Sequence, residues 1–301
     1  MKRPILVTGS HRSGSTWVGK IISESKDVQY IHEPFNKDIT RFNAPFKEQL
    51  KYVSEHSTEN EQKNVEKYMN SFSRFPSRIA FSRFLNTKSV YDLYFNLWDV
   101  GDLNRRFLKR PLFKDPIALL SAEWLYQKYN CDVVIIIRHP AAFVASLSVK
   151  NWKFDFNNLL DQKTLKQSCI GKYWDDIEKY AKDQPNLIHQ GILLWNILYS
   201  MIHDYQKKYG DNWIFVRHED LSLSPTKEFK KIFATLNLDF TSRVKKTIIA
   251  SSTATNENDS MRDSAKNIKT WKNRLTDEEI TRVKEGTREV WTYFYDESDW
   301  E

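Results

Sequence analysis

Ten residues near the amino terminus, TGSHRSGSTW (8–17), have the composition of a loop that binds a phosphate-like anion. Gly9 and Gly14 show the G-x-x-x-x-G spacing that lets a backbone wrap around a phosphate. An ATP- or GTP-binding loop continues with Lys and then Ser or Thr, whereas this chain continues with Ser-Thr at 15–16. The nearest cation is Arg12, inside the loop. The loop therefore predicts an anion site whose ligand differs from the usual nucleoside triphosphate.

A second anion site is indicated by the apolar run VVIIIR at 133–138. A nucleotide-dependent phosphotransferase holds Mg²⁺ through a carboxylate near the end of such a strand. This run ends in Arg138 instead, and a cation at that place repels a metal and attracts an anion. We therefore expect a ligand with two separate anionic groups and no metal.

Short apolar runs alternate with segments of helical periodicity along much of the chain. Buried strands are predicted at 4–8, 133–138 and 213–217, because these runs are continuously apolar. Helices are predicted from about Ser15, from Pro140, and at 117–129, 189–209, 225–236 and 277–294, the last with a Thr276–Glu279 capping box. This alternation predicts an α/β fold with a mostly parallel central sheet flanked by helices on both faces.

Two stretches, about 36–110 and about 150–188, do not follow the alternation. Both are rich in Lys, Asn and aromatic residues, and we interpret them as insertions that shape an acceptor cleft. No repeat, low-complexity tract or linker divides the chain, so a single domain over 1–301 is predicted.

The composition of the chain limits the kinds of partner that the protein is expected to bind. The net charge of +7 suits an anionic ligand or a polyanionic acceptor, although solvated lysines account for it equally well. The chain lacks the signatures of nucleic-acid-binding modules, so no nucleic-acid partner is expected. Two cysteines exclude a disulfide scaffold and a structural zinc site, and Cys131 is expected in the core. With no long apolar run and no signal-peptide pattern before Ile5, we expect a cytoplasmic protein without a membrane span.

The two anion motifs together resemble those of the sulfotransferases that use 3′-phosphoadenosine 5′-phosphosulfate (PAPS). In that family a loop of the form K/R-S-G-T/S-S/T binds the 5′-phosphosulfate, and RSGST at 12–16 matches it. An Arg at a strand end and a Ser eight residues later bind the 3′-phosphate, as Arg138 and Ser146 are spaced to do. The resemblance is firm over about 1–35 and 111–152, and weaker over 213–300.

The resemblance implies a P-loop-NTPase-like three-layer sandwich and a metal-free reaction that converts PAPS into 3′,5′-ADP (PAP). The donor phosphosulfate would then contact the loop residues Arg12, Ser13, Gly14, Ser15 and Thr16.

Further positions match the family less closely. Trp17 corresponds to an aromatic residue that stacks on adenine, although a core Trp on a helix face is the alternative. His218 falls where members often have a Tyr near the adenine. The segment TWKNRL (270–275) resembles a family segment that closes over the donor. Arg262, Lys272 and Arg274 are therefore candidate contacts of the 3′-phosphate, with ordinary surface charges as the alternative.

The catalytic base is assigned by the same resemblance. The small-molecule branch uses a His where this chain has Pro116, so the carbohydrate and tyrosylprotein branches are closer. Those branches often have a Glu about 21 residues after the loop cation, which is Glu33 relative to Arg12. The alternative to a catalytic role is that Glu33 forms a structural ion pair or caps a turn. His32 is the other base considered, although strand alternation points it away from the side of Glu33.

Two residues beside these motifs complete the predicted site. Lys114, in KDP, matches a lysine that contacts the transferring group and would stabilise charge on the bridging oxygen, with a surface lysine as the alternative. His139 is expected to be a satisfied neighbour of Arg138 rather than a participant.

These residues predict an enzyme that moves a sulfuryl group from PAPS to an acceptor hydroxyl. A carbohydrate or glycolipid acceptor is favoured by the aromatic insertions, ahead of a tyrosyl peptide or a small alcohol. The alternatives are a nucleotide-dependent phosphotransferase and a non-catalytic nucleotide-binding protein of the same fold. The first lacks the loop Lys and the strand-end carboxylate, and the second does not account for Glu33 and Lys114.

Overall fold

A computed structural model describes residues 3–38, 44–72, 109–253 and 268–301. The described strands form one five-stranded, wholly parallel sheet in the order β2-β3-β1-β4-β5. They are β1 (Ile5–Gly9), β2 (Val28–His32), β3 (Arg110–Lys114), β4 (Asp132–Ile137) and β5 (Ile214–Arg217). The predicted α/β fold is therefore confirmed.

Helices connect these strands. Within the described residues, those before β4 are α1 (Ser15–Ile22), α2 (Glu59–Ser71) and α3 (Ala122–Tyr129). Those after it are α4 (Pro140–Val149), α5 (Asn157–Leu160), α6 (Trp174–Lys182), α7 (Leu187–Tyr209), α8 (His218–Leu223), α9 (Pro225–Thr235), α10 (Ser242–Thr253), α11 (Asp277–Gly286) and α12 (Arg288–Trp291). Short 3₁₀ turns lie at Pro116–Ser121, Lys163–Gln167, Cys169–Tyr173, Thr270–Asn273 and Glu297–Trp300.

The sheet is buried on both faces, as its apolar strands require. Alternate residues of β4 enter two different hydrophobic clusters: Val133 and Ile135 pack with α4 and α7, and Val134 and Ile136 pack with α1 and α9. Each fully buried Val or Ile stabilises the fold by about 1.5–3 kcal/mol. Cys131 is buried in the first cluster, as expected.

Several elements differ from the sequence-based predictions. The predicted helix over 117–129 begins as the 3₁₀ turn Pro116–Ser121, capped by Asp115, and becomes α-helical only at Ala122. The predicted helix over 277–294 is interrupted at Thr287, directly after Gly286. Strands β2 and β3 were not among the predicted buried strands; β3 contains Pro111, which cannot donate to a ladder and is unusual in an interior strand.

Parallel pairing places the carboxyl ends of all five strands at one edge of the sheet. Val7 and His32 both lie opposite Lys114, and Ile137 lies opposite Arg217. In open α/β sheets, ligands bind outside this edge. The anion motifs and the predicted base belong to the loops that follow β1, β2, β3 and β4. They therefore lie at the same edge of the sheet.

Candidate active site

The loop between β1 and α1 wraps tightly against its neighbours, which explains both glycines. A Cβ on Gly9, whose φ is 142°, would stand 2.4 Å from the carbonyl oxygen of Ile136 in β4. A Cβ on Gly14, whose φ is 94°, would stand 2.6 Å from Nδ1 of His218. Helix α1 begins directly afterwards at Ser15, so the positive end of its dipole faces the loop.

The side chains of the loop fall into two groups. Arg12 and Thr16 are exposed, whereas Ser13 and Ser15 are buried. The buried Ser13 Oγ has no hydrogen-bond partner in the described part of the chain. A buried hydroxyl without a partner is costly in a folded protein, so Ser13 has an unmet bond to offer an anion in this loop.

The two anion motifs are in direct contact. Arg12 Nε donates a hydrogen bond to Ser146 Oγ at 2.9 Å, and Arg138 Nη1 donates to the carbonyl oxygen of Arg12. Ser146 lies on α4, which begins two residues after Arg138. The loop after β1 and the loop after β4 therefore form one continuous cationic surface.

The long helix α7 fixes the backbone of Arg138. The Arg138 N–H donates to Tyr199 Oη at 2.8 Å, and Trp195 Nε1 donates to the Arg138 carbonyl at 3.1 Å. Tyr199 Oη also bonds Ser10 Oγ at 3.0 Å, which joins this strand end to the anion loop. Burial lowers the pKa of Arg138, and the nearby Glu219 carboxylate opposes that shift.

Glu33 and Lys114 form an ion pair at the ends of β2 and β3. Lys114 Nζ donates to Glu33 Oε1, while Asn36 Nδ2 donates to Glu33 Oε2 at 2.9 Å. The Lys114 side chain is only 1% exposed, so the alternative of a surface lysine is wrong. Burial favours a raised pKa for Glu33, but the hydrogen bond and charge of Lys114 outweigh it and hold this pKa below its ordinary value.

His32 lies closer to Glu33 than strand alternation predicted. Its Nε2 atom is 3.8 Å from Glu33 Oε1, and its Nδ1 atom is 3.2 Å from Tyr30 Oη. Strand β2 ends at His32, and Glu33 has a left-handed backbone with φ of 46°. The expectation that the two side chains point apart was wrong, because this turn ends the alternation between them.

The predicted adenine residues lie beside the loop. The rings of Trp17 and His218 are 6.3 Å apart and edge-to-face. Trp17 also packs on Phe229 at 5.2 Å and donates from Nε1 to Ser251 Oγ at 2.9 Å. Burial, together with the charge of Arg138, lowers the pKa of His218 to about 3, so its ring is neutral.

The segment TWKNRL reaches the same edge through its tryptophan. Trp271 stacks on His139, which follows Arg138, with ring centroids 5.2 Å apart. Lys272 is exposed and donates to the main-chain oxygen of Glu301, and Arg274 is exposed as well. Arg262 lies outside the described residues. The role of these three cations at a 3′-phosphate therefore stays a prediction.

His139 does not have the hydrogen bonds expected of it. Its ring is buried against Trp271, Tyr295 and Trp300, and neither ring nitrogen has a hydrogen-bond partner within the described ranges. The expectation of a satisfied neighbour was wrong, because aromatic rings rather than polar groups surround it. Burial, with the charges of Arg217 and Arg138, lowers the pKa of His139 to about 3.

The chain matches a model of the sulfotransferase family over residues 4–242. It belongs to that family. The fold is also similar to two solved sulfotransferase domains. One, from the curacin biosynthetic pathway, has a TM-score of 0.56 at 13% identity and covers 98% of this chain and 99% of that one. The other, from the Synechococcus PCC 7002 olefin synthase, has a TM-score of 0.52 at 14% identity and covers 98% and 97%. No curated protein sequence matches the chain.

Membership of the sulfotransferase family confirms the family predicted from the two motifs, together with its P-loop-like fold. It supports an enzyme that transfers sulfuryl groups to an acceptor. The branch within the family stays a prediction. Within the described ranges, no helix is long and apolar enough to cross a bilayer, and no three His, Cys, Asp or Glu side chains group as a metal site.

Sequence reasoning missed three buried residues of this candidate site. Asp115 accepts bonds from two main-chain N–H groups beside Glu33, and Tyr199 supports Arg138. Glu219 accepts from the His139 N–H at 3.1 Å and from Tyr295 Oη at 3.0 Å. The sequence did carry a signal for Asp115 and Glu219, because each directly follows a predicted site residue. It carried none for Tyr199, because the partners of Tyr199 come from distant parts of the sequence.

Proposed function

We propose that this protein transfers the sulfuryl group of PAPS to a hydroxyl of a carbohydrate or glycolipid acceptor. The observation that carries the proposal is the meeting of two parts at one sheet edge. One part is the cationic surface of Arg12, Ser146 and Arg138, and the other is the ion pair between the half-buried Glu33 and the buried Lys114. An enzyme of this kind needs anion-binding groups to hold the donor and a base with a cation where the sulfuryl group moves.

The donor-binding residues divide between the two ends of PAPS. Arg12, Ser13, Ser15 and Thr16, with the N–H groups around Gly14, would hold the phosphosulfate. Arg138 and Ser146 would hold the 3′-phosphate, with Lys272, Arg274 and Arg262 as further contacts, and Trp17 and His218 would flank the adenine. Binding at both ends fixes the sulfur in line with the acceptor oxygen.

Glu33 and Lys114 would carry the transfer itself. The acceptor oxygen forms a bond to sulfur while the bond from sulfur to the phosphate oxygen breaks, and PAP leaves with that electron pair. Glu33 takes the acceptor proton, which becomes acidic as the new bond forms, so a carboxylate with a low pKa suffices. Lys114 stabilises the charge that develops on the bridging oxygen.

The carbohydrate acceptor is supported by two features of the chain. Pro116 occupies the position of the small-molecule branch's His. Much of the first aromatic-rich stretch, at 39–43 and 73–108, lies outside the described residues. Its described part packs against the second stretch: Asn158 Oδ1 accepts from the Gln49 N–H at 2.8 Å, and Gln162 Oε1 accepts from the Tyr52 N–H at 2.7 Å. A tyrosyl peptide and a small alcohol are the competing acceptors.

The test is transfer of ³⁵S from labelled PAPS to three acceptor classes: oligosaccharides and glycolipids, tyrosyl peptides, and small alcohols or phenols. Label on the saccharide class supports the proposal, and label only on another class overturns the acceptor assignment. Glu33→Gln is expected to lower turnover at least 100-fold while it leaves PAP binding within about twofold. Glu59→Gln, at an 82% exposed side chain, is the matched control.

A further inference from the structure

Asp115 is a carboxylate buried directly beside the proposed reacting pair. It follows Lys114 in the chain and has no solvent exposure. Its Oδ2 atom accepts from the Phe35 N–H at 2.6 Å, and its Oδ1 atom accepts from the Ile117 N–H at 2.9 Å. Because Phe35 is two residues beyond Glu33, the first bond joins the end of β3 to the loop that carries Glu33.

That loop has a conformation that needs external support. Glu33 has a φ of 46°, and the Asn36 N–H donates to the Glu33 carbonyl at 3.1 Å, which closes a tight turn. A left-handed backbone at a residue other than glycine costs about 1–3 kcal/mol and persists only where neighbouring contacts fix it. The turn would otherwise relax and carry the Glu33 carboxylate away from its partner.

Three contacts hold the turn in place. The Glu33 N–H donates to the Lys114 carbonyl at 2.8 Å. Tyr68 Oη, on α2, donates to the Pro34 carbonyl at 2.6 Å. The third contact is the bond from the Phe35 N–H, within the turn, to Asp115 Oδ2, and the Asp115 N–H itself donates to the Val7 carbonyl in β1 at 2.9 Å. Asp115 therefore ties the turn to the centre of the sheet.

We propose that Asp115 is a positioning residue for sulfuryl transfer, which keeps the Glu33 carboxylate against the Lys114 ammonium. This inference rests on the proposed function, in which Glu33 is the base, and deepens it. Asp115 is sealed from solvent and acts through Glu33 rather than on the acceptor.

The chemistry of the site explains why the residue is a carboxylate. Two main-chain N–H groups converge on it, and only a carboxylate offers an acceptor oxygen to each. An amide would set its NH₂ group against one of them and leave that N–H buried without a partner. The carboxylate is retained although burial raises the pKa of Asp115 to about 7, the Phe35 N–H opposing this shift and the Glu33 charge adding to it.

Asp115→Asn separates positioning from a simple charge effect. The ionisable groups that face Asp115 are Glu33, Lys114 and Tyr68. If Asp115 were only a neighbouring negative charge, its removal would lower the pKa of Glu33. If Asp115 positions Glu33, the variant weakens the Glu33–Lys114 pair and the pKa of Glu33 rises toward its ordinary value. The two roles therefore shift this pKa in opposite directions.

The experiment is a ¹³C NMR titration of the Glu33 side-chain carboxyl in the full chain, with the signal assigned by its loss in Glu33→Gln. A higher pKa of Glu33 in Asp115→Asn, with at least a tenfold fall in kcat and PAP affinity within twofold of the parent, supports the proposal. A Glu33 pKa at or below that of the parent overturns it. The titration itself requires no turnover, so it reports whether Asp115 holds Glu33 against Lys114 even if the chain transfers no sulfuryl group, an outcome that would overturn the proposed function alone.

Ser121→Ala is the matched control for a general loss of buried hydrogen bonds. Ser121 lies in the 3₁₀ turn capped by Asp115, has no exposure, accepts from the Val53 N–H at 3.0 Å and donates to the Lys51 carbonyl at 2.5 Å. This change is expected to lower stability and leave the Glu33 titration unchanged.

A second measurement leaves Asp115 in place, in case Asp115→Asn does not fold. Hydrogen exchange of the Phe35 amide is followed in the unaltered chain. Exchange as slow as that of the β3 amides supports the proposal, and exchange as fast as that of exposed loop amides overturns it.

Discussion

Arg12 Nε lies 2.9 Å from Ser146 Oγ, although 134 residues separate them in the chain. The first residue belongs to the loop after β1, and the second to the helix after β4. Because β1 and β4 are neighbours in the sheet, their following loops meet, and one residue from each motif closes the contact. The two ends of a PAPS molecule would therefore be held by a single connected surface.

Arg138→Ala is expected to weaken the binding of 3′,5′-ADP at least tenfold and that of 5′-ADP much less, because only the former carries the 3′-phosphate. A lost charge-assisted hydrogen bond costs about 1.5–3 kcal/mol. Calorimetric titration of both ligands checks this. Arg243→Ala, at a 78% exposed side chain paired with Glu24, is the matched control. Equal losses for both ligands would contradict the assigned contact.

Gly14→Ala is expected to destabilise the fold and to abolish donor binding. The new Cβ meets the His218 ring, and the left-handed backbone adds strain of about 1–3 kcal/mol. Urea unfolding and 3′,5′-ADP titration measure the two effects. The double variant Gly14→Ala with His218→Ala relieves the ring contact but not the strain, so it is expected to recover only part of the stability. Full recovery would show that strain at Gly14 is unimportant.

Trp17→Phe is expected to retain most of the affinity for 3′,5′-ADP, and Trp17→Ala to lose it, because stacking on a base needs only a ring face. The Phe variant also loses the Ser251 bond, which Ser251→Ala removes alone. A Trp17 that is only structural would lower the melting temperature in Trp17→Ala without a change in ligand affinity. Fluorescence titration and thermal unfolding separate these outcomes.

Acid sensitivity follows from buried neutral histidines. Burial lowers the pKa of His11, His139 and His218 to about 3, whereas an unfolded chain protonates them near 6.5. The unfolded state therefore binds more protons on these groups below pH 6.5, and their contribution to stability falls as the pH falls. Asp115, with its pKa raised to about 7, contributes in the opposite direction.

His139→Phe isolates one of these histidines. Between pH 7 and pH 5 the parent is expected to lose up to about 2 kcal/mol more of its unfolding free energy than the variant. Urea unfolding at the two pH values gives the difference. His56→Gln, at a 66% exposed side chain, is the matched control. Identical pH dependence in His139→Phe and the parent would contradict the buried, neutral assignment.

The sequence predicted the parts of this site that lie in continuous motifs. The strand-loop-helix unit around Gly14 and the strand end at Arg138 follow from local patterns, and the structure places both as expected. It did not reveal that Arg12 and Ser146 touch, because that depends on which strands are neighbours.

The buried partners of the site were also beyond the reach of pattern reasoning. Asp115 and Tyr199 act through bonds to main-chain groups, which any residue can provide and which leave no signature in a sequence. The turn at Glu33 was missed for a related reason: a left-handed glutamate is held by tertiary contacts rather than by local propensity.

Calorimetric titration of the unaltered chain with 3′,5′-ADP, first in EDTA and then with Mg²⁺, measures whether the cationic surface of Arg12, Ser146 and Arg138 binds this nucleotide without a metal. We expect binding in the micromolar range or tighter without a divalent ion, at least tenfold tighter than that of 5′-ADP, and no gain on adding Mg²⁺. Binding that requires Mg²⁺, or equal affinity for the two nucleotides, would contradict this expectation.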